Sequence, residues 1–363
     1  MNIININDNK LYYVGGIVRD ELLGIESLDV DMVYEGNAIE FAKSLSETEI
    51  LQINEPFGTV RVKLDGREID IASTREETYK RKGHLPTVTK IGVPLKEDVK
   101  RRDFTINTLY KSVSTEEIID LTGGLEDLKN KTIRVLHDES FIDDPTRILR
   151  ALKFATRFGF TIEPHTKKLQ DDYLKNIDYD MCYKRIKKEL IETFSLNSQS
   201  AFEIFINNRI YKLITTREVT LPKINIEKLI NLCPVNNIWL VYVGVLGDLS
   251  RLPLTKTEQK ILDDFNAIEK LHNDFEIYKA FEKVMPETIL LYAILKDEKS
   301  AVKYLEELSR IKLSINGKDL QGIGLAPSPK YQEIFDYVLK QKLQSPNMSK
   351  TDEIEAVKNH LDI

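Results

Sequence analysis

The hydrophobic pattern of this chain changes character once, around Asp144. Ahead of that point, short β-like runs alternate with helical stretches. Leu11-Tyr12-Tyr13-Val14 is apolar and aromatic, ends on Gly15-Gly16 and leads into a helical pattern over residues 17–23. Residues 28–33 alternate apolar and acidic side chains, as a strand with one polar face does. Residues 37–44 read as helix, and residues 59–64 and 67–72 as a hairpin turning at Asp65-Gly66. Residues 80–94 are basic and punctuated by Pro and Gly, the composition of a mobile loop. From Asp144 the strand signals fade. Asp144 offers an N-cap and Pro145 a first helical residue, and Ile148, Leu149, Leu152, Phe154, Ala155 and Phe158 form a wide apolar stripe. Helical patterns follow over residues 181–194, 201–213, 224–232, 256–271, 274–284, 287–296 and 301–311. The expectation is an α+β chain: a small head with a mixed sheet and helices, then an all-helical portion.

Length and composition narrow the class. A chain of 363 residues, 42% hydrophobic and 30% charged, has room for two or three globular domains. Its longest apolar run, residues 238–247, is half of the ~20 residues a membrane helix needs, and residues 1–10 lack the pattern of a signal peptide. The two cysteines, Cys182 and Cys233, are too few for a disulfide framework and have no CxxC spacing, so a cytoplasmic setting is expected. Net charge is −6, yet basic clusters occur at residues 80–82, 100–102, 184–188 and 340–342. A local basic stripe is enough for an enzyme that binds RNA transiently.

The candidate chemistry starts with Asp29 and Asp31. Residues i and i+2 of a strand project from one face, and two neighbouring carboxylates repel unless a cation lies between them. Mg2+ prefers such oxygens together with substrate phosphates. Gly15-Gly16, between a strand and a helix, would present backbone N–H groups to an anion at the helix N-terminus. The spacing is neither GxGxxG nor a Walker motif. Arg19, one turn further on, could reach the same phosphates. Asp70, on the later strand, could complete a carboxylate triad for in-line phosphoryl transfer. Glu68 has the same strand parity, which leaves the choice between the two open.

Five motifs in order carry a resemblance: Val14-Gly15-Gly16-Ile17-Val18-Arg19-Asp20, Leu28-Asp29-Val30-Asp31, Arg101-Arg102-Asp103-Phe104-Thr105-Ile106-Asn107, Gly123-Gly124-Leu125-Glu126-Asp127-Leu128, and residues 143–151, which begin Asp143-Asp144-Pro145-Thr146-Arg147. In these the chain resembles the class II CCA-adding tRNA nucleotidyltransferases and bacterial poly(A) polymerases. The likeness is close over roughly the first 190 residues and loose beyond them.

The resemblance implies a head of the polymerase β type over residues 1–140, a neck that selects the nucleobase over 141–200, a helical body over 201–310 and a tRNA-binding tail over 311–363. It implies C and A addition to the tRNA 3′ end from CTP and ATP with Mg2+, with RNA as partner rather than DNA or a membrane. Asp29 and Asp31 would hold the metal, with Asp70 assisting. Gly15, Gly16, Arg19, Arg102, Asp103 and Asn107 would bind the nucleotide. Asp144 and Arg147 would act as template: cytosine and adenine both offer an amine donor beside a ring-nitrogen acceptor, which a carboxylate and a guanidinium complement, whereas uracil and guanine show the opposite polarity. Arg150 and Lys153 would add positive charge, Lys153 standing where the family has arginine and losing its fork geometry. Arg185 and Glu189, at i and i+4, resemble the neck motif that braces the templating helix; the alternative is an ordinary ion pair within one helix. The loop over residues 76–93 is not shortened, which in the family goes with A addition. Residues 317–320, with Gly322 and Gly324, resemble a tail element that contacts tRNA. A-only addition, poly(A) tailing and a catalytically silent RNA-binding relative are the alternatives. Trp239 is expected in the core.

Overall fold

The computed structural model describes residues 6, 8–27, 29–46, 48–64 and 66–363; Leu28 of the second motif and Asp65 of the expected turn lie outside them. Contacts divide the chain into two compact units. The first comprises Met1–Leu196 with Glu203–Thr216, the second Asn197–Phe202 with Arg217–Ile363.

The first unit is built on a mixed sheet. Its strands are β1 (Leu11–Val14), β2 (Val30–Tyr34), β3 (Glu49–Asn54), β4 (Thr59–Leu64), β5 (Arg67–Ser73), β8 (Tyr110–Ser112) and β9 (Ile118–Ile119), in the order β3-β4-β5-β2-β1-β8-β9. Among the described residues of this sheet only the β2–β5 pairing is parallel, and it sets Asp31 directly beside Asp70. The strand expected from residue 28 is assigned from Val30, so Asp29 sits just ahead of it. Helices α1 (Gly16–Leu23) and α2 (Ala38–Ser44) follow β1 and β2. Asn37 caps α2 by accepting the N–H groups of Ile39 and Glu40. One apolar cluster joins Val14, Val33 and Tyr110 of the sheet to Leu95 and Val99, at and just after helix α3 (Leu95–Asp98).

Residues 80–94 are not simply a loop. Strands β6 (Arg75–Thr78) and β7 (Thr87–Ile91) pair antiparallel as a ribbon, and only the tip between them is irregular. The β-branched residues of β7 favour the extended backbone despite its polar surroundings. Past α4 (Gly124–Lys129) and α5 (Ser140–Asp143), the long α6 (Thr146–Phe158) packs its apolar stripe against α8 (Tyr183–Phe194). Between them lies α7 (Pro164–Lys175), which the apolar pattern does not announce, because its buried positions are Thr166 and Gln170.

The second unit is helical. Helices Lys256–Ala267, Asp274–Phe281, Pro286–Leu295 and Glu298–Glu306 fall within the expected stretches to a few residues. Residues 201–213, of which 203–213 belong to the first unit, do not form one helix: helix Gln199–Asn207 is separated from a 3-10 turn at Ile210–Leu213 by Arg209, whose φ is +56°. Trp239 is buried in the second unit. The tail glycines begin a short helix, Gly317–Gly322, closed by reciprocal capping between Asn316 and Asp319. Helices Tyr331–Gln344 and Lys350–Leu361 complete a core around Leu320, Val338 and Val357. Among the described residues no helix is long and apolar enough to cross a membrane.

Candidate active site

A cleft of about 780 Å³ opens in the first unit, where β1, α1, β2, β5, the β6–β7 ribbon, the 101–107 turn, α6 and α8 meet. Of the site residues expected from sequence, all but Lys153 line it, and Glu68 does not. Asp70 and not its parity partner therefore shares the cleft with Asp29 and Asp31.

The glycine turn is a backbone requirement. Gly15 has φ +72°, a conformation that β-branched or bulky residues resist, and its carbonyl accepts the N–H of Arg19 at 3.0 Å to start α1. Arg19 is almost wholly buried. Its guanidinium donates to Asp20 at 2.8 Å and Asn107 at 2.5 Å and lies 4.6 Å from the Phe158 ring centroid. It is thus held by protein groups at the edge of the cleft.

At the carboxylate end, charge is only partly compensated. Crowding by the cleft walls, and after it the like charges of Asp70 and Asp29, pushes the Asp31 carboxyl above its ordinary value, though the side chain still touches water; Arg102 and Arg61 offset this in part. Arg61 grips Asp70 with two hydrogen bonds of 2.9 and 2.8 Å, both partners being about half exposed. Among the described residues no group of three or more His, Cys, Asp or Glu is arranged to hold a metal ion by itself.

At the other end, charges are bonded almost completely. Asp103 receives its own neighbour Phe104 N–H, the Asn107 amide and the Arg150 guanidinium, the last at 2.8 and 2.6 Å. Burial opposes the Asp103 charge, but Arg150 and the Asn107 amide overcome it and hold the carboxyl at about 2. Asp144 accepts from Thr146 N–H at 3.2 Å and Thr146 Oγ1 at 2.6 Å, and is ion-paired to Arg185. Arg147 donates to Ser140 Oγ at 2.7 Å and to the Arg101 carbonyl at 2.9 Å. Glu189 binds Lys153 at 2.8 Å and Arg150 at 3.4 Å. Arg185 and Glu189 are therefore not paired with each other: Arg185 pairs with Asp144, just ahead of α6, and Glu189 with Lys153 and Arg150 on α6. Lys153 faces Glu189 and Glu192 and is absent from the cleft wall.

Sequence reasoning passed over Asp98. It is fully buried and accepts from Arg75 N–H at 3.0 Å, Arg101 at 2.9 Å, Arg102 at 2.8 Å and the Tyr110 hydroxyl at 3.0 Å. Burial works against its charge, yet Arg102 and Arg101 depress its carboxyl far below the carboxylate range. The signal was present in the i+3 and i+4 spacing of Asp98 to Arg101 and Arg102.

Residues 11–134 match the poly A polymerase head domain. The chain is 33% identical to an A-adding tRNA nucleotidyltransferase of Aquifex aeolicus over 84% of its own length and 41% of the relative's, so it spans less than half of that protein. It is 28% identical to a CCA-adding enzyme of Lactobacillus helveticus, with 97% of this chain and 94% of the relative covered. The Thermotoga maritima CCA-adding enzyme complexed with tRNA-CCA superposes with a TM-score of 0.77 at 28% identity, over 97% of this chain and 91% of that one.

Proposed function

We propose that this chain, which matches the poly A polymerase head domain over residues 11–134 and is 28% identical to a CCA-adding enzyme along nearly its whole length, adds C and A residues, without a template strand, to the 3′ end of tRNA from CTP and ATP. One observation carries the reading: partly compensated carboxylates, a glycine turn at a helix N-terminus and a bonded aspartate–arginine pair line one cleft. The tRNA 3′-hydroxyl attacks the α-phosphorus, a new P–O bond forms, and the P–O bond to pyrophosphate breaks.

Each part of the chain has a task in this reaction. Gly16 and the first turn of α1 point N–H groups at the triphosphate, and Arg102, oriented by Asp98, adds positive charge. Asp103 and Asn107, fixed by Arg150 and Arg19, accept and donate to the ribose hydroxyls. A carboxylate has about four lone-pair sites, and Asp144 gives three of them to Thr146 and Arg185. The remaining one is available to the exocyclic amine of cytosine or adenine. Arg147 uses two of its N–H groups on Ser140 and Arg101 and keeps others for the ring nitrogen. Asp29 and Asp31 are hard oxygen donors of the kind that would hold Mg2+. Bound there, the ion would supply activation of the attacking hydroxyl and charge stabilisation of the leaving pyrophosphate.

A second reading, addition of the final A alone, is favoured by the name of the Aquifex relative. Incubation with tRNAs ending at the discriminator base, in C and in CC, and with an unrelated RNA, each with single nucleotides, separates the two. Stepwise C, C and A addition is expected. Extension of only the CC-ending tRNA by one A would replace that reading with the second, and long A tails on any RNA would overturn both.

A further inference from the structure

The two side chains assigned to base choice, Asp144 and Arg147, can read only the edge of a nucleobase. Something must also hold its face. Among the described residues the aromatic side chains lining the cleft are Phe57, Tyr79 and Phe154. Two of them are engaged. The Arg75 guanidinium lies 5.7 Å from the Phe57 ring centroid. Phe154 has Arg19 at 5.2 Å, Arg150 at 5.3 Å and Lys153 at 5.5 Å from its centroid, with Phe104 edge-on and Phe158 stacked. Tyr79 has neither a ring nor a cation against it, and no hydrogen bond on its hydroxyl, among the described residues.

Tyr79 is also held from both sides of the chain. On the β6 side, Glu77 pairs with Arg75 at 2.7 Å and approaches Arg101 at 3.7 Å, and the Arg101 carbonyl receives Arg147. On the ribbon-tip side, Gly83 N–H donates to the Asp143 carbonyl and Cys182 N–H to the Gly83 carbonyl, both at 3.0 Å, while Arg185 reaches the His84 carbonyl at 3.4 Å. Gly83 fits this wedge at φ +74°, where a Cβ would stand 2.9 Å from Met181 and 3.1 Å from the Asp180 carbonyl. The segment bearing Tyr79 is thus tied at one end to the residue that orients Arg147 and at the other to the ion partner of Asp144. Burial raises the half-buried phenol above its ordinary value, while the charge of Arg147 pulls it down and that of Asp144 pushes it up, which places it within their field.

We propose that Tyr79 is the stacking face for the incoming nucleobase, a specificity residue that holds the ring plane while Asp144 and Arg147 read its edge. The inference rests on the nucleotidyltransferase reading of the cleft and goes beyond it by naming the residue that contacts the base face. Stacking accepts any base in kind but favours the larger ring system, so Tyr79 contributes more to ATP than to CTP binding.

Equilibrium binding of ATP, CTP and inorganic tripolyphosphate to the full chain, with Mg2+ present, tests this for wild type, Tyr79→Leu and Tyr79→Phe. Tyr79→Leu is expected to weaken ATP at least about fivefold, the lower range for one base–aromatic stack, and CTP by less. Tripolyphosphate, which has no base, should bind both proteins equally, and Tyr79→Phe, which keeps the ring, should bind ATP as wild type does. An unchanged ATP Kd in Tyr79→Leu would overturn the proposal. So would an equal loss for tripolyphosphate, which would make Tyr79 a structural residue, or a Tyr79→Phe as weak as Tyr79→Leu, which would put the function in the hydroxyl. Wild-type protein that binds neither nucleotide would instead remove the assignment of the cleft itself, and this inference with it.

Discussion

The two ends of the cleft treat charge in opposite ways. Around Asp29, Asp31 and Asp70 like charges crowd together with Arg61 and Arg102 offsetting only part of the repulsion. Around Asp103, Asp144 and Glu189 each carboxylate is tied to an arginine or lysine of α6 or α8. A partly matched cluster is a site completed by something brought in, whereas a bonded network is a surface whose shape is set before anything arrives. The first suits cation and phosphate chemistry. The second suits recognition of a fixed hydrogen-bond pattern, where misplaced donors and acceptors reject the wrong base.

Removing a charge should therefore separate chemistry from folding at one end and join selectivity to folding at the other. The largest effect is expected for Asp31→Asn: nucleotide incorporation should fall by about a thousandfold or more, since several kcal/mol of transition-state stabilisation is at stake, while the melting temperature holds or rises because repulsion is relieved. A variant that keeps turnover would break the distinction. Next, Asp144→Ala should lower the preference for CTP and ATP over UTP and GTP by roughly tenfold or more and also lower the melting temperature, because Arg185 is left partly buried and unpaired. Selectivity kept intact in that variant would remove Asp144 from base choice.

Acid should act on the two ends with opposite sign. The Asp103 carboxyl is held at about 2 in the folded state against about 4 in the unfolded chain. Its contribution, on the order of 2 kcal/mol, is present above the unfolded value and is lost as pH falls through the folded one. Asp31 is raised, so its cost to stability is present above its folded value and is relieved as pH falls through it. Denaturant titrations from pH 6 down to about pH 2 should show Asp103→Asn with a shallower loss of stability than wild type and Asp31→Asn with a steeper one. Parallel curves for all three proteins would contradict the contrast. The smallest effect is expected for Arg61→Ala. Its pair with Asp70 is half exposed, so stability should move by no more than about 0.5–1 kcal/mol, and a larger drop in urea melts would show the pair to be more than a surface contact.

Much of this was written in local sequence. The strand–glycine–helix start, the Asp29/Asp31 spacing and the hairpin over β4 and β5 follow from periodicity within a few residues, and four of the five motifs contribute residues to the cleft. What escaped depends on partners distant in the chain. The β6–β7 ribbon looked like a loop, because β6 opens on three consecutive charged residues with no apolar alternation and its pairing joins Arg75 to Ile91. All residues of edge strand β3 are exposed, so it has no buried face to give an alternating pattern. Arg185 and Glu189 have helical spacing, yet their partners lie far earlier in the chain, at Asp144 just ahead of α6 and at Arg150 and Lys153 on it. Glu68 and Asp70 are equal by parity, and the β2–β5 register, which joins strands far apart in the chain, puts Asp70 beside Asp31.

The account is tested most directly by a competition. A tRNA lacking its 3′ CCA, incubated with all four ribonucleoside triphosphates and Mg2+, is recovered and its added 3′ nucleotides are sequenced. The account predicts tails made of C and A alone, with none added by Asp31→Asn. No extension by the wild-type protein, or U and G at frequencies comparable to C and A, would contradict it.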